Sequence, residues 1–217
     1  MIIIPTIFAT SKNKFEERFN KLIKVSKNIQ IDFMDGRFVR TKSLSPAQIP
    51  NLKKYKRNFE AHLMLYHPER YLKLLKNKGF KKIIFHYEST KNPELMIDKI
   101  KKGKLKCYMA INPETKLEKI VRFLPKVDGV LFLGVRPGRE HQSFIPSVYQ
   151  KIKKLKSIHK KIKIQADGGV NERVIIKLAR LKVDYVNSGS FISESKNPKE
   201  AFKKLSSLFK KRGILYK

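Results

Sequence analysis

Short apolar runs alternate with amphipathic stretches along the whole chain. Ile2-Ile3-Ile4-Pro5-Thr6 reads as a buried strand, and a helix follows with Phe15, Phe19, Leu22 and Ile23 on one stripe. A second strand ends at Asp32. A polar loop through Ser43 and Pro46 and a short helix near Leu52 lead to a third strand ending at His62. Pro68 and Glu69 open a helix bearing Tyr71, Leu74 and Leu75, which Gly79 caps, and Ile83-Ile84-Phe85-His86 is strand four. Pro93-Glu94 opens a helix with Met96, Ile97 and Ile100 that ends at Gly103, before strand five at Lys106-Cys107-Tyr108-Met109-Ala110-Ile111.

The alternation continues to the last residues. Thr115 caps a helix carrying Leu117, Ile120, Val121 and Leu124, stopped by Pro125, and Gly129-Val130-Leu131-Phe132-Leu133 is strand six. Val148, Ile152 and Leu155 mark the next helix, and strand seven runs from Ile162 to Asp167. Asn171 caps a helix with Val174, Ile175 and Leu178. Strand eight is Asp184-Tyr185-Val186-Asn187, and Phe202, Leu205, Leu208 and Phe209 mark a closing helix.

Eight strand-helix units with no linker or break in composition predict α/β architecture: one (β/α)₈ barrel domain over residues 1–217, with a parallel eight-stranded sheet. An open doubly wound sheet is the alternative, but the first strand lacks the glycine fingerprint of a dinucleotide site, so no organic cofactor is expected.

Composition adds limits. At 217 residues with 41% apolar content the chain can bury a full core. Its single cysteine, Cys107, excludes an internal disulfide and fits a reducing cytoplasm. The apolar start is too short for a signal core, and no stretch approaches the ~20 apolar residues of a membrane span. The formal charge of +32 would attract polyanions, yet lysines fill the polar positions of every helix, as in Lys151-Ile152-Lys153-Lys154-Leu155-Lys156. That is the pattern of solvated faces, and no nucleic-acid partner is expected.

The strand ends carry the candidate chemistry. Asp32, His62 and Asp167 close three different strands, and Gln30 shares a face with Asp32 in a period-2 strand. Two carboxylates, an imidazole and an amide oxygen suit one divalent ion such as Mn²⁺, Fe²⁺, Co²⁺ or Zn²⁺. Two carboxylates facing each other across a bound molecule could also move protons on its opposite sides. Taken singly, a strand-end aspartate more often caps a loop and a lone histidine is more often a core residue. Gly168-Gly169 after strand seven and Ser188-Gly189-Ser190 after strand eight lie where barrels often hold a phosphate on bare backbone N–H groups.

In combination and order, several segments resemble the ribulose-phosphate 3-epimerase family nearly end to end. They are Ile4-Pro5-Thr6-Ile7, Ile31 to Val39, His62-Leu63-Met64, His86-Tyr87-Glu88, Asn112-Pro113-Glu114-Thr115, Val135-Arg136-Pro137-Gly138, Asp167-Gly168-Gly169-Val170 and Gly189-Ser190. The resemblance implies interconversion of ribulose 5-phosphate and xylulose 5-phosphate by proton transfer at C3, by a cytoplasmic homo-oligomer holding one divalent metal. It makes Asp32 and Asp167 the metal-bound base and acid and His62 a further ligand. Thr6, Met34, His86, Met109, Gly138 and Gln142 would meet the substrate, and Gly168, Gly169, Gly189 and Ser190 its phosphate. A ketohexose 6-phosphate epimerase shares this machinery, and a non-catalytic sugar-phosphate or polyanion-binding barrel is the rival outside catalysis.

The departures are specific. Gln30 stands where the family has its first histidine ligand, which implies looser metal binding and a shift toward harder ions. Thr6 replaces a serine and keeps its hydroxyl. The family's Pro-Gly-Phe-Gly-Gly-Gln loop reads Pro137-Gly138-Arg139-Glu140-His141-Gln142 here, and Arg37, Arg40 and Arg136 add charge near the expected mouth.

Overall fold

Buried parallel strands are apolar on both faces, and the apolar runs above form such strands in the structure, a computed structural model that describes residues 1–210. In chain order they are β1 (Ile2–Ile7), β2 (Asn28–Met34), β3 (Asn58–Met64), β4 (Phe80–His86), β5 (Lys106–Ile111), β6 (Gly129–Leu133), β7 (Lys163–Asp167) and β8 (Tyr185–Ser188). Each pairs in parallel with the next, and β8 pairs with β1 to close the barrel. The last seven residues of the expected 1–217 domain lie outside the described residues. No helix among the described residues is long and apolar enough to cross a membrane.

The helices cover the outside of the barrel: α1 (Lys12–Leu22), α2 (Leu72–Lys78), α3 (Pro93–Lys102), α4 (Ser147–Ile158), α5 (Glu172–Arg180), α6 (Ser190–Ser193) and α7 (Pro198–Lys210). Their inward stripes and the outward faces of the strands form one core that includes Phe19, Phe33, Phe59, Phe80 and Phe132. In α4, Ile152 and Leu155 are buried while Lys153 and Lys154 are exposed, which is the expected solvated face.

Two expected helices take another form. Near Leu52 only a 3₁₀ turn, Pro46–Gln48, precedes the buried Leu52, whose N–H donates to Lys78 O. Between β5 and β6 the chain runs as two 3₁₀ segments, Leu117–Lys119 and Val121–Lys126, with Pro125 inside the second. The apolar spacing gives the reason. Leu117, Ile120 and Phe123 recur every third residue and are all buried, which is the period of a 3₁₀ turn, whereas Val121 is 40% exposed. Thr115 is no cap there; its hydroxyl donates to Glu88 Oε1.

Gly79 ends α2 as expected, at φ 98°, with its N–H on the carbonyls of Leu75 and Lys76. A Cβ there would sit 3.0 Å from Lys53 N. Gly79→Ala is therefore expected to cost about 1–2 kcal/mol, read as a lower urea midpoint. Because Gly79 precedes β4, at the end of the barrel away from the polar strand ends, turnover should be unchanged. An unaltered midpoint would contradict the left-handed cap.

Candidate active site

Alternation along β2 and β3, with Asp32 paired beside His62, turns Gln30, Asp32, Glu60 and His62 into the barrel. Asp167 arrives from β7, beside Leu133 of β6. His62 Nδ1 lies 3.2 Å from Asp32 Oδ1 and 3.6 Å from Asp167 Oδ2. One donor atom from each of the three side chains falls within 4.8 Å of the others. Two hard oxygens and one nitrogen at that spacing fit a divalent ion.

Gln30 sits among them with its nitrogen, not its oxygen, toward the acids. Nε2 donates to Asp32 Oδ1 at 2.8 Å and to Asp167 Oδ2 at 2.6 Å, while Oε1 accepts from Gln165 Nε2 at 3.4 Å. Both N–H groups thus bridge the two carboxylates. To offer Oε1 to an ion the amide must turn over, which would break both bonds.

Behind His62 a hydrogen-bonded chain sets its tautomer. His62 Nε2 meets His86 Nε2 at 2.9 Å, and His86 Nδ1 meets Glu88 Oε2 at 3.3 Å. Glu88 also accepts from Asn112 N and the Thr115 hydroxyl. Burial opposes charge on His62, but the hydrogen bond and charge of Asp32, with the charges of Asp167 and Glu60, raise its pKa overall. Burial and the neighbouring His62 lower that of His86. Burial opposes charge on Glu88 too, but its hydrogen bonds hold the carboxyl below the ordinary range. A neutral His86 that gives its Nδ1 proton to Glu88 accepts at Nε2 from His62 Nε2–H, so the position at which His62 can carry a further proton, or meet an ion in its place, is Nδ1, facing the carboxylates.

Asp167 is buried beside Asp32. Burial first, and the Asp32 charge second, push its carboxyl well above the usual range, against the favourable Gln30 bond. Asp167 therefore holds a proton under conditions where an ordinary aspartate has lost it.

Beneath this cluster lies a polar layer in the barrel. Lys82 Nζ is 2.7 Å from Glu60 Oε2, donates to Gln165 Oε1 at 3.2 Å, and lies 4.2 and 4.5 Å from the ring centroids of Tyr108 and Tyr185. Gln165 Nε2 reaches Glu60 and Asn187, and Asn187 Nδ2 donates to Thr6 Oγ1 at 3.3 Å.

Of the residues expected from sequence, Thr6, Asp32, Met34, His62, Gly138, Gln142, Asp167, Gly168, Gly169, Gly189 and Ser190 line one cavity at the strand C-termini. Gln142 spends its amide on the carbonyls of Arg136 and Arg139. Gly168 and Gly169 have φ of 89° and 66°, and a Cβ on Gly169 would come 2.6 Å from Phe144 N. Only glycine combines that left-handed backbone with such a close approach to the loop carrying Phe144. Asp35, the second carboxylate of the β2 end, organises the loop by accepting from the N–H groups of Arg37, Phe38 and Tyr66.

Met109 corrects an expectation. On β5 it is Tyr108 and Ala110 that pack inside the barrel, while Met109 joins the helix-side core, so it does not meet the cavity. His86 likewise stands behind His62 rather than at the cavity wall. Sequence reasoning gave no role to Met64, which lines the cavity and whose position two residues after His62 was signal enough. It also gave none to Arg18, considered below.

Residues 2–193 match the Ribulose-phosphate 3 epimerase family. The ribulose-phosphate 3-epimerase of Schizosaccharomyces pombe is 27% identical over 203 residues, spanning 91% of this chain and 89% of the relative. That of Helicobacter pylori strain J99 is 31% identical over 185 residues, spanning 83% and 85%. Two solved structures share the fold at low identity. KGPDC from Streptococcus mutans, in complex with D-R5P, superposes with a TM-score of 0.74 at 11% identity, covering 96% of this chain and 97% of its own. The 3-hexulose-6-phosphate synthase from Salmonella typhimurium gives 0.70 at 15%, covering 97% and 99%. With a family match that runs through all eight strands and their converging acids, the chain belongs to the ribulose-phosphate 3-epimerase family and is an isomerase.

Proposed function

We propose that the protein interconverts D-ribulose 5-phosphate and D-xylulose 5-phosphate by proton transfer at C3 between two carboxyl groups. The observation that carries this reading is the placement of two carboxyl groups, Asp32 from β2 and Asp167 from β7, in the wall of one cavity. Asp32 removes the C3 proton from one face, leaving an enediolate, and Asp167 gives its own proton to the other face of C3. Each acid then carries the other's starting state, and the reverse reaction uses them in reverse.

The supporting groups suit that chemistry. Met34 and Met64 wall the cavity beside the acids with apolar, polarizable surface that keeps water from C3. Gly168, Gly169, Gly189 and Ser190 offer backbone and hydroxyl donors for the phosphate. Asp32, His62 and Asp167 would hold a divalent ion, which would supply Lewis acidity toward the ketose oxygens.

Proton NMR of ribulose 5-phosphate in D₂O with the protein and Mn²⁺, Zn²⁺ or Co²⁺, the metal being removed before each spectrum, tests the reading. Deuterium at C3 together with xylulose 5-phosphate is expected. Exchange without the epimer would mean that one acid works and the other does not; neither signal, with any of the three metals, would sink the proposal.

Gln30 makes a second prediction. Because its amide must turn away from both acids before an oxygen faces an ion, Gln30→His should raise affinity for Zn²⁺ by about tenfold or more, read by competition with a chromophoric chelator. Unchanged or weaker affinity would show that the amide is no handicap.

A further inference from the structure

The loop after β6 places a carboxylate in a cavity otherwise suited to an anion. Glu140 lines the cavity with Gly168, Gly169, Gly189 and Ser190, and its Oε1 lies 4.0 Å from where a Cβ on Gly189 would stand. Arg18 of α1 holds it in a two-pronged pair, Nη1 to Oε1 at 3.0 Å and Nη2 to Oε2 at 3.2 Å. The Arg18 side chain is 3% exposed, and its guanidinium is fixed from behind by Phe8 O at 2.6 Å and by Glu194 Oε1. His141, next along the loop, reaches Glu194 Oε2 at 3.3 Å with its backbone at φ 60°, a conformation that costs a non-glycine residue energy. The turn presenting Glu140 is thus held by its contacts rather than by its own preference.

Charge and shape make Glu140 a poor permanent occupant. Two carboxylates share the Arg18 guanidinium, so this cluster keeps a net negative charge beside Gly189 while Glu140 is in place, in a cavity that Arg136 and Arg139 also line. A phosphate brought to the glycines would meet that charge. A guanidinium fork binds two oxygens of a phosphate with the same planar geometry as two oxygens of a carboxylate.

We propose that Arg18 is a phosphate-binding residue masked by Glu140 in the free protein, and that a ligand's phosphate replaces the Glu140 carboxylate on the guanidinium. The inference rests on the sugar-phosphate reading for its natural ligand, but its chemistry is testable with inorganic phosphate alone. Exchange turns the β6 loop away with Glu140 and leaves Glu194 and Phe8 O to hold Arg18 in position. Arg18 then selects for a phosphorylated sugar over a free one, a task for which backbone N–H groups supply no formal charge.

Calorimetric titration with inorganic phosphate decides the matter. Glu140→Gln keeps the side chain's size and removes the competing charge, so phosphate should bind about tenfold more tightly than to the unaltered protein. Arg18→Lys keeps one positive charge but loses the fork; phosphate should bind about tenfold more weakly, with KM for the sugar phosphate raised and kcat little changed. If Glu140 were only a structural strap, Glu140→Gln would loosen the loop and leave phosphate affinity the same or lower, and either result overturns the proposal. Failure of the unaltered protein to epimerise ribulose 5-phosphate would remove the activity reading and leave the phosphate titration to judge Arg18.

Discussion

Asp167→Asn is expected to lower kcat by about 10³-fold or more, because in the proposed mechanism it removes the proton that is delivered to the second face of C3. Asparagine keeps the shape and can still pair with Gln30, so the fold should survive. In metal-free protein the same substitution should carry a stability signature of opposite sign. The carboxyl of Asp167 titrates higher in the folded chain than its ordinary value of 3.8, through burial and the Asp32 charge. Between those two values the folded state keeps a proton that the unfolded state has lost, so the residue's contribution is most favourable below the unfolded value and is lost as pH rises through the folded one. Measured with chelator present, the Tm of the unaltered protein should fall relative to Asp167→Asn as pH increases from about 4 to 8. A variant that is inactive and also less stable at pH 8 would mean that the carboxylate holds the structure together rather than doing chemistry.

Lys82→Met carries the largest expected cost to stability, about 3–5 kcal/mol, because it strands the Glu60 carboxylate inside the barrel. Glu60 is 5% exposed and, among the described residues, would keep Gln165 alone as a hydrogen-bond partner. The loss should appear as a lower denaturant midpoint with an unchanged slope. Replacing both partners, with Glu60→Leu added, should recover most of it, since an apolar pair of similar volume avoids the desolvation that the ions incur. A double variant as unstable as the single one would point to lost packing of the lysine stem against Tyr108 and Tyr185 instead. Catalysis should suffer as well: Lys82 orients Gln165, Gln165 meets Gln30, and Gln30 bridges the two acids.

The barrel was legible because each strand is an apolar run, and parallel strands in phase bring the polar ends that some of them carry, at Asp32, His62 and Asp167, to one rim. β5 and β6 have the expected bounds to the residue. Period-2 alternation then carried Asp32, His62 and Asp167 into a single cavity. What was illegible depended on contacts between distant residues or on phase. Met109 was misplaced by one step of alternation on β5, a strand apolar on both faces in which nothing local marks the inside. Arg18 reads as an ordinary polar position on α1; its burial follows from Glu140 and Glu194, more than a hundred residues away. The direction of the Gln30 amide is set by two acids and by Gln165 on another strand. The 3₁₀ stretch after β5 was the exception, since a spacing of three was there to be read.

Closure of the barrel also constrains the order in which the molecule can be made. β1 pairs on one side with β2, its neighbour in sequence, and on the other with β8, where Ile2 lies beside Tyr185 and Pro5 beside Ser188. At a ribosomal pace of about 5–20 residues per second, the first strand is finished roughly 10–40 seconds before its second partner exists. For that interval one edge of β1, and the apolar side chains it should bury, have no native cover. Pairings between such distant segments are also the slowest to form once the chain is released. Yield of the folded protein should therefore depend on temperature and on protection of the nascent chain more strongly than its final stability would suggest.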